Sequence, residues 1–465
     1  MWFPLLRRLA IAHDAGIASA FTKHSVKIVQ VLMVPRRLKS KGRAPEILAP
    51  HVSGQQSNQI RPQANRGQPQ EIVGSLSKLK QSPDARSVTA ALSACFKAKK
   101  YDKAHALFFA QERSVLNLQV FRTMITLSER TGRYRDSVRF LKLMQKKGLQ
   151  PDVVCLSSAI HAWIKLGDWQ QALETFKSME SLYKVSPNIF SYNLALKACA
   201  IGGDSSAALT IFKRLCDDAR VRPDIVTLNS VINACASDSL TDQATGILMS
   251  MKQRHGIEPN CTSFNAAIRA FEKGGQWQKA REFVEVMEAL GLKPNVVTFT
   301  SIIKSCARVG ASEDALETFN TLKEKSILPN EYAVNSVLDA LSHETYTAEV
   351  IDIMQDARNA GLYPKAWASS SEVDLHRLSV SVSCAILRII FLELKSGVRK
   401  ISDILIITGR GNNSDGNAIL QERVLKFISA YRGPKITKDP RNPGAFSLKA
   451  TNITLWLKSR ATEPT

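Results

Sequence analysis

Two sets of residues have the types and the spacing to do chemistry. The first is a row of short polar side chains, Thr89, Ser157, Asn193, Asn229, Asn265 and Thr300, with Arg122 and Asn335 in the same frame, recurring about every 35 residues. They sit inside apolar runs, directly after residues such as Tyr192, Leu228, Phe264 and Phe299. An amide or hydroxyl on a short stem offers donors and acceptors with little rotamer entropy to lose. The second set is Asp374-Leu375-His376 followed by Thr408-Gly409-Arg410-Gly411. A carboxylate two residues from an imidazole can orient it, or deprotonate a water or hydroxyl. Glycines between a strand end and a helix start can expose N–H groups to an anion, and an arginine adds a bidentate contact. The plainer alternative is that the glycines only make a tight turn and His376 satisfies a nearby backbone group.

The elements that must carry the first set are legible from a repeat. Val296 to Asn330 reads VVTFTSIIKSCARVGASEDALETFNTLKEKSILPN and abuts a second unit of the same design, Cys261 to Asn295. Backwards from these lie Ile225–Asn260, Ile189–Asp224, Val153–Asn188 and Leu118–Asp152; a shorter Ala85–Asn117 opens the series and Glu331–Lys365 closes it, giving eight units of 33 to 36 residues. In Val296–Asn330, Phe299, Ile302, Ile303 and Cys306 share one helical face, and Ala315, Leu316 and Phe319 share another. Ala172, Ala208, Ala244, Ala280 and Ala315 recur where two helices must approach, and Gly132, Gly167, Gly203, Gly275 and Gly310 recur in the turn between them. The ends Pro151-Asp152, Pro187-Asn188, Pro223-Asp224, Pro259-Asn260, Pro294-Asn295 and Pro329-Asn330 each deny the chain a further helical turn. A hairpin this small cannot bury its own apolar stripe, so copies must stack. The expected fold is mainly α, a right-handed α-solenoid of helix-turn-helix repeats over 85–365, followed by a small α/β domain over 371–460.

The chain of 465 residues has a formal net charge of +22, which fits an anionic partner. The surplus is uneven: residues 1–84 carry 13 Lys/Arg against 4 Asp/Glu, whereas 85–370 carry 35 against 29. Net charge alone therefore does not make the repeats a polyanion binder, and particular positions must. No run of 18 apolar residues occurs, so no membrane span is expected. The eight cysteines lack metal-ligand spacing. Cys95, Cys199, Cys235 and Cys306 all fall at the eleventh position of a repeat, which suits small apolar packing in a reducing compartment better than disulfides. No metal site and no cofactor are expected.

Residues 1–43 hold nine Lys/Arg and one acid, Asp14, the composition of an organelle transit peptide. Ala18-Ser19-Ala20-Phe21 resembles the import motif of secondary plastids, which favours chloroplast over mitochondrion. Residues 44–84, rich in Gln, Asn, Pro and Gly, read as a disordered linker.

The pattern V-V-T-[YF]-N-x-x-I…G…A…F…M…G-[ILV]-x-P-[DN] resembles that of pentatricopeptide repeats, over roughly Ala85 to Lys365. Tetratricopeptide repeats share the period but not these signatures. The resemblance implies single-stranded RNA binding at one base per repeat. It also implies that the fifth residue of a unit and the last residue together select the base. Thr89 with Asn117, Ser157 with Asn188, and Thr300 with Asn330 then suggest adenine; Asn193 with Asp224 suggests uracil. Asn229 with Asn260 and Asn265 with Asn295 suggest pyrimidines. Arg122 with Asp152 carries no assignment, and Asn335 with Lys365 departs from the pattern. The implied footprint is A-?-A-U-Y-Y-A-?, 5′ to 3′. The competing reading of these polar residues as helix caps is disfavoured, since a cap precedes the apolar run rather than sitting in it.

After Lys365 the pattern changes. Val373–His376 reads as a short strand, Val380–Leu394 as a helix, Asp403–Gly411 as a buried strand ending in glycines, and Ala418–Tyr431 as a helix. Phe446–Lys449 and Ile453–Leu457 read as two further strands. Asp374-Leu375-His376 with Thr408-Gly409-Arg410-Gly411 resembles the small MutS-related (Smr) domain, some members of which nick nucleic acid while others only bind it. The resemblance implies Asp374 and His376 as catalytic candidates and Thr408 to Gly411 as a phosphate site. Arg377 stands where a glycine is usual, and Asn413 where many members carry His.

Three functions follow as expectations: an organellar factor that binds a transcript for processing, stabilisation or translation; an RNA endonuclease whose repeats choose the transcript that the Smr domain cuts; and a scaffold for protein partners in the same processes.

Overall fold

The computed structural model describes residues 85–111, 115–341, 347–409 and 419–461. The expected transit peptide and linker, and with them Arg410, Gly411 and Asn413, lie outside the described residues. The chain divides into two units, one ending at Ala270 and the other beginning at Phe271.

In the first unit the hairpins are α1 (Ala85–Lys97) with α2 (Tyr101–Phe109), α3 (Leu118–Arg130) with α4 (Tyr134–Lys146), α5 (Val153–Leu166) with α6 (Trp169–Ser181), α7 (Ile189–Gly202) with α8 (Ser205–Asp217), and α9 (Ile225–Ser237) with α10 (Thr241–Ser250). A π-helical turn, Met251–His255, extends α10. The helix α11 (Cys261–Gly274) spans the division. First helices of successive hairpins pack on one another, α1 on α3, α3 on α5, α5 on α7 and α7 on α9. Second helices pack behind them, with α4, α6 and α8 each against the following first helix. The layers meet in an apolar core containing Phe121, Leu156, Tyr192, Leu228 and the buried alanines Ala172, Ala208 and Ala244. The turn within a hairpin needs the left-handed region: Gly167 (φ 85) and Gly203 (φ 71) close α5 and α7 there at no steric cost.

In the second unit α12 (Trp277–Ala289), α13 (Val296–Val309), α14 (Ser312–Glu324), α15 (Glu331–Ala340) and α16 (Thr347–Asn359) continue the pattern, with α13 packed on α15. A single turn, α17 (Pro364–Trp367), leads into a four-stranded sheet of order β1-β2-β4-β3. β1 (Glu372–Asp374) runs parallel to β2 (Ile404–Ile407), with Asp374 opposite Ile407. β4 (Ala445–Leu448) is antiparallel to β2 and to β3 (Thr437–Lys438). The helices α18 (Val380–Lys395), α19 (Ile419–Ala430) and α20 (Ala450–Ala461) complete the module, whose core holds Ile386, Ile390, Phe391, Ile406, Phe446 and Trp456.

One expected element is different in kind. Ile453–Leu457 is not a strand but the middle of α20: Ile453 and Trp456 are buried, at helical spacing, while Leu455 faces solvent. An aspartate far upstream starts this helix, since the Ala450 N–H donates to Asp403 Oδ1 at 2.8 Å and Lys449 Nζ pairs with Asp403 Oδ2 at 2.8 Å. No described helix is long and apolar enough to cross a membrane.

Candidate nucleic-acid interface

The residue that ends each repeat is the N-cap of the next. The side chains of Asn117, Asp152, Asn188, Asp224, Asn260, Asn295 and Asn330 accept from the backbone N–H of Val120, Cys155, Ser191, Thr227, Ser263, Thr298 and Ala333, at 2.7 to 3.2 Å. Each satisfies a donor the first helical turn leaves orphaned. The proline-Asp/Asn ending thus has a folding role whatever else it does. The fifth residue of each unit lies one turn inside the helix that this cap begins.

Fifth and last residues are in contact in the second and fourth repeats, where the last residue is an aspartate. Asn193 Nδ2 lies 3.2 and 3.3 Å from the Asp224 carboxylate oxygens, and Thr227 Oγ1 donates to Asn193 Oδ1 at 2.6 Å, with Asp224 Oδ1 as a second acceptor at 2.8 Å. Both ends of that amide are held, leaving one N–H and one lone pair for a ligand. Arg122 pairs with Asp152 at 3.2 Å and donates to Gln119 Oε1 at 2.7 Å, so that guanidinium is committed to its own neighbours. Among the described residues no hydrogen bond reaches Asn229 Oδ1. Asn265 Nδ2 lies 3.7 Å from Cys261 Sγ.

Two of the three hydroxyl-bearing positions, Ser157 and Thr300, sit deeper. Ser157 is only 3% exposed and hydrogen-bonded to Ser191 Oγ at 2.9 Å, which in turn donates to Asn188 Oδ1 at 2.9 Å. Thr300 is 7% exposed and donates back to the Val296 carbonyl at 2.6 Å; Thr89 donates to the Arg86 carbonyl at 2.8 Å. A hydroxyl whose proton is spent on the helix presents only lone pairs.

Two rows escaped the sequence reading. Second residues of the repeats are exposed although many are large and apolar: Val154, Phe190 (54%), Val226, Val297 and Tyr332 (71%). They lie one helical turn before the fifth residues, on the same side of each first helix. The signal that would have found them is an apolar residue in frame but out of phase with the buried face. The other row is basic: Lys97, Arg130, Lys165, Lys273 and Arg308 occupy the thirteenth position, in the last turn of α1, α3, α5, α11 and α13, all exposed. Eleven residues is about three turns, so they share the second residues' stripe. Within each unit the exposed side of the first helices thus carries apolar surface, amides and cations at a fixed repeat, the groups needed to hold base faces, base edges and phosphates.

In the C-terminal module the parallel pairing of β1 and β2 brings the two motifs to one end of the sheet. The His376 N–H donates to Asp374 Oδ1 at 3.1 Å, and His376 Nδ1 contacts the same oxygen. A Cβ on Gly409 would stand 3.6 Å from His376 Cβ. The expected anion cradle is otherwise occupied. The N–H groups of Thr408 and Gly409 both donate to the Gly444 carbonyl, at 2.9 and 3.0 Å, and the buried Thr408 hydroxyl does so at 3.1 Å. These groups hold β4's entry loop rather than facing a ligand; Arg410 and Gly411 lie outside the described residues. Arg377 has φ 67, the left-handed region that explains why a glycine suits this place. Among the described residues no group of three His, Cys, Asp or Glu is placed to hold a metal ion.

Comparison with known proteins agrees with this architecture. The pentatricopeptide repeat domain matches residues 139–204, 194–238 and 210–273; the PPR repeat family matches 259–308 and 294–343; and the PPR repeat matches 120–149. The chain carries pentatricopeptide repeats. Its fold is similar to the crystal structure of the pentatricopeptide repeat protein PPR10 from maize, at 21% identity and a TM-score of 0.57, over 87% of this chain and 59% of that one. This chain therefore spans about three-fifths of the maize protein. PPR10 in complex with an 18-nt psaJ RNA element aligns at 17% identity and TM-score 0.49, over 80% of this chain and 57% of that one. The PPR domain of Arabidopsis thaliana protein-only RNase P 1 in complex with tRNA aligns at 19% and 0.34, over 40% and 97%. No curated protein matches the sequence.

Proposed function

We propose that the repeats bind single-stranded RNA sequence-selectively, in an organelle, with the chloroplast favoured, and that the bound transcript is thereby processed, stabilised or made available for translation. The observation that carries this reading is the amide of Asn193, held by Asp224 and Thr227 on an exposed helix side. Phe190 precedes it by one turn, and exposed Val226 adjoins Thr227 in sequence. A fixed amide between apolar side chains suits an unstacked base, whose edge needs hydrogen bonds and whose faces need cover. Thr89 and Thr300, with only lone pairs to offer, suit the exocyclic amine of adenine. Fluorescence anisotropy at fixed salt tests the reading: RNA carrying A-N-A-U-Y-Y-A binds more tightly than its complement, and equal affinity for the two overturns it.

A second reading is favoured by one specific observation, the Asp374–His376 contact at the end of the sheet. Here the C-terminal module, as a Smr domain, cleaves the RNA that the repeats select. A carboxylate that fixes the imidazole leaves Nε2 to take a proton from a water or a ribose hydroxyl. The purified protein then cleaves bound RNA, His376→Ala abolishes cleavage without weakening binding, and cleavage that survives both His376→Ala and Asp374→Ala excludes this role.

A further inference from the structure

The eighth hairpin has no repeat after it to complete its fifth residue. In the fourth repeat, the hydroxyl donated to Asn193 Oδ1 comes from Thr227, in the repeat that follows. The eighth unit ends instead on Leu362-Tyr363-Pro364-Lys365, and no asparagine or aspartate closes it. Yet Asn335 Oδ1 also receives a hydroxyl. Tyr363 Oη donates to it at 2.7 Å, with the Glu331 carbonyl as a weaker second acceptor at 3.3 Å. The donor distance matches the 2.6 Å seen at Asn193, on the same atom of the same repeat position.

The tyrosine is built for this contact. Its ring is 4% exposed, and its backbone adopts φ 54, ψ 47, a left-handed conformation that an aromatic residue keeps only when its surroundings dictate it. Pro364 follows at the start of α17 and fixes the direction in which the chain leaves. Burial, with Glu331 and Asp339 adding, pushes the phenol well above its ordinary range, so the hydroxyl stays protonated and remains a donor. Asn335 differs from Asn193 in its other half: Lys365 stands in register where Asp224 stands, and among the described residues no hydrogen bond engages Asn335 Nδ2. Tyr332, one turn earlier, is the most exposed of the second-position residues.

We propose that Tyr363 takes the place of the missing next repeat and makes Asn335 an eighth base-reading residue, selecting uracil over adenine at the 3′ end of the footprint, against the ring of Tyr332. The inference rests on the RNA-binding reading above. With its oxygen engaged by Tyr363, the half-buried amide keeps its N–H donors for a ligand. Uracil meets them with two carbonyl acceptors, whereas adenine offers a single ring-nitrogen acceptor on that edge, beside its own exocyclic amine donor.

The test uses the full chain and anisotropy with RNAs identical through seven nucleotides and carrying U or A at the eighth. Wild type prefers U by about fivefold, the order of one ordinary hydrogen bond. Tyr363→Phe keeps the buried ring and reduces that preference to less than twofold, as does Asn335→Ala, and the double variant loses nothing more. Discrimination at the nucleotide opposite Asn193 is unchanged in all three, which separates loss of reading from loss of folding. If wild type discriminates opposite Asn193 but not at the eighth nucleotide, or if Tyr363→Phe keeps the fivefold preference, this inference fails alone. If no RNA is discriminated at any position, it fails together with the reading beneath it.

Discussion

Asn193 and Asp224, 31 residues apart in sequence, are joined by the amide nitrogen of one and both carboxylate oxygens of the other, at 3.2 and 3.3 Å. The same aspartate caps α9 through the Thr227 N–H at 2.7 Å. One side chain therefore starts a helix and orients the amide of the repeat before it. These two duties separate on substitution. Asp224→Asn preserves the cap, because asparagine and aspartate cap equally well, so stability should change by less than about 0.5 kcal/mol. The amide at Asn193 loses its charged acceptor, and preference at that one nucleotide should broaden from uracil to either pyrimidine. Anisotropy with single-nucleotide RNA variants reads the second effect and urea unfolding the first; an unchanged preference would detach Asp224 from selectivity.

Asn188→Ala should behave in the opposite way. Asn188 accepts from both the N–H and the hydroxyl of Ser191, each at 2.9 Å, and alanine can accept neither. Loss of a cap typically costs about 1 kcal/mol, and the Ser191 hydroxyl also loses its acceptor. Urea unfolding should show that loss. A variant as stable as the parent would mean that the cap contributes nothing here.

Six of the repeat boundaries were legible because proline and a capping side chain mark them locally, and the cap bonds only three residues ahead. The depth of the fifth residues was not. Ser157 and Thr300 share Asn193's register but are buried, and their short side chains bond Ser191 or the preceding turn, which register alone does not reveal. In the C-terminal module, β2 follows from a β-branched run and β4 from apolar residues around Phe446, whereas β1 is only Glu-Val-Asp. Ile453–Leu457 has the same look, yet forms α20 because Asp403, 47 residues from Ala450, satisfies the helix start. Composition points to strand there and a tertiary contact overrides it. The Gly409 motif was visible, but its commitment to the Gly444 carbonyl depends on where β4 falls.

Phe190→Ala tests whether the exposed second-position residues contact bases. Its side chain is 54% exposed, so truncation removes little core and the melting temperature should move little. A base–aromatic contact is worth roughly 1–3 kcal/mol, so affinity for every RNA should fall at least about fivefold without a change in base preference. Unaltered affinity would place the RNA on another surface.

The thirteenth-position cations make an ionic-strength prediction. Lys165 is exposed in the last turn of α5. If it neutralises one phosphate, Lys165→Ala should reduce the slope of log K against log salt by about 0.7, the single-strand value per contact. Selectivity among sequences should be untouched. An identical slope in variant and parent would remove Lys165 from the phosphate path.

The buried cysteines predict a loss of stability at alkaline pH. Cys199 and Cys306 are pushed up to about 12 and Cys235 to about 11, in each case chiefly by burial, with a nearby aspartate adding. Unfolded, the same thiols ionise near 9.0. Below that pH both states keep the thiol protonated and the contribution is fully present. As pH rises from 9 towards 12, the unfolded chain holds fewer protons than the folded one, so unfolding becomes progressively easier. Alkylation under native conditions at neutral pH should modify exposed Cys216 first and spare Cys95, Cys155, Cys199, Cys235 and Cys306, which are buried and free. Replacing Cys199 and Cys235 together by alanine should flatten the alkaline limb of the urea midpoint against pH. A limb of the same steepness in the double variant would assign the alkaline loss to other groups.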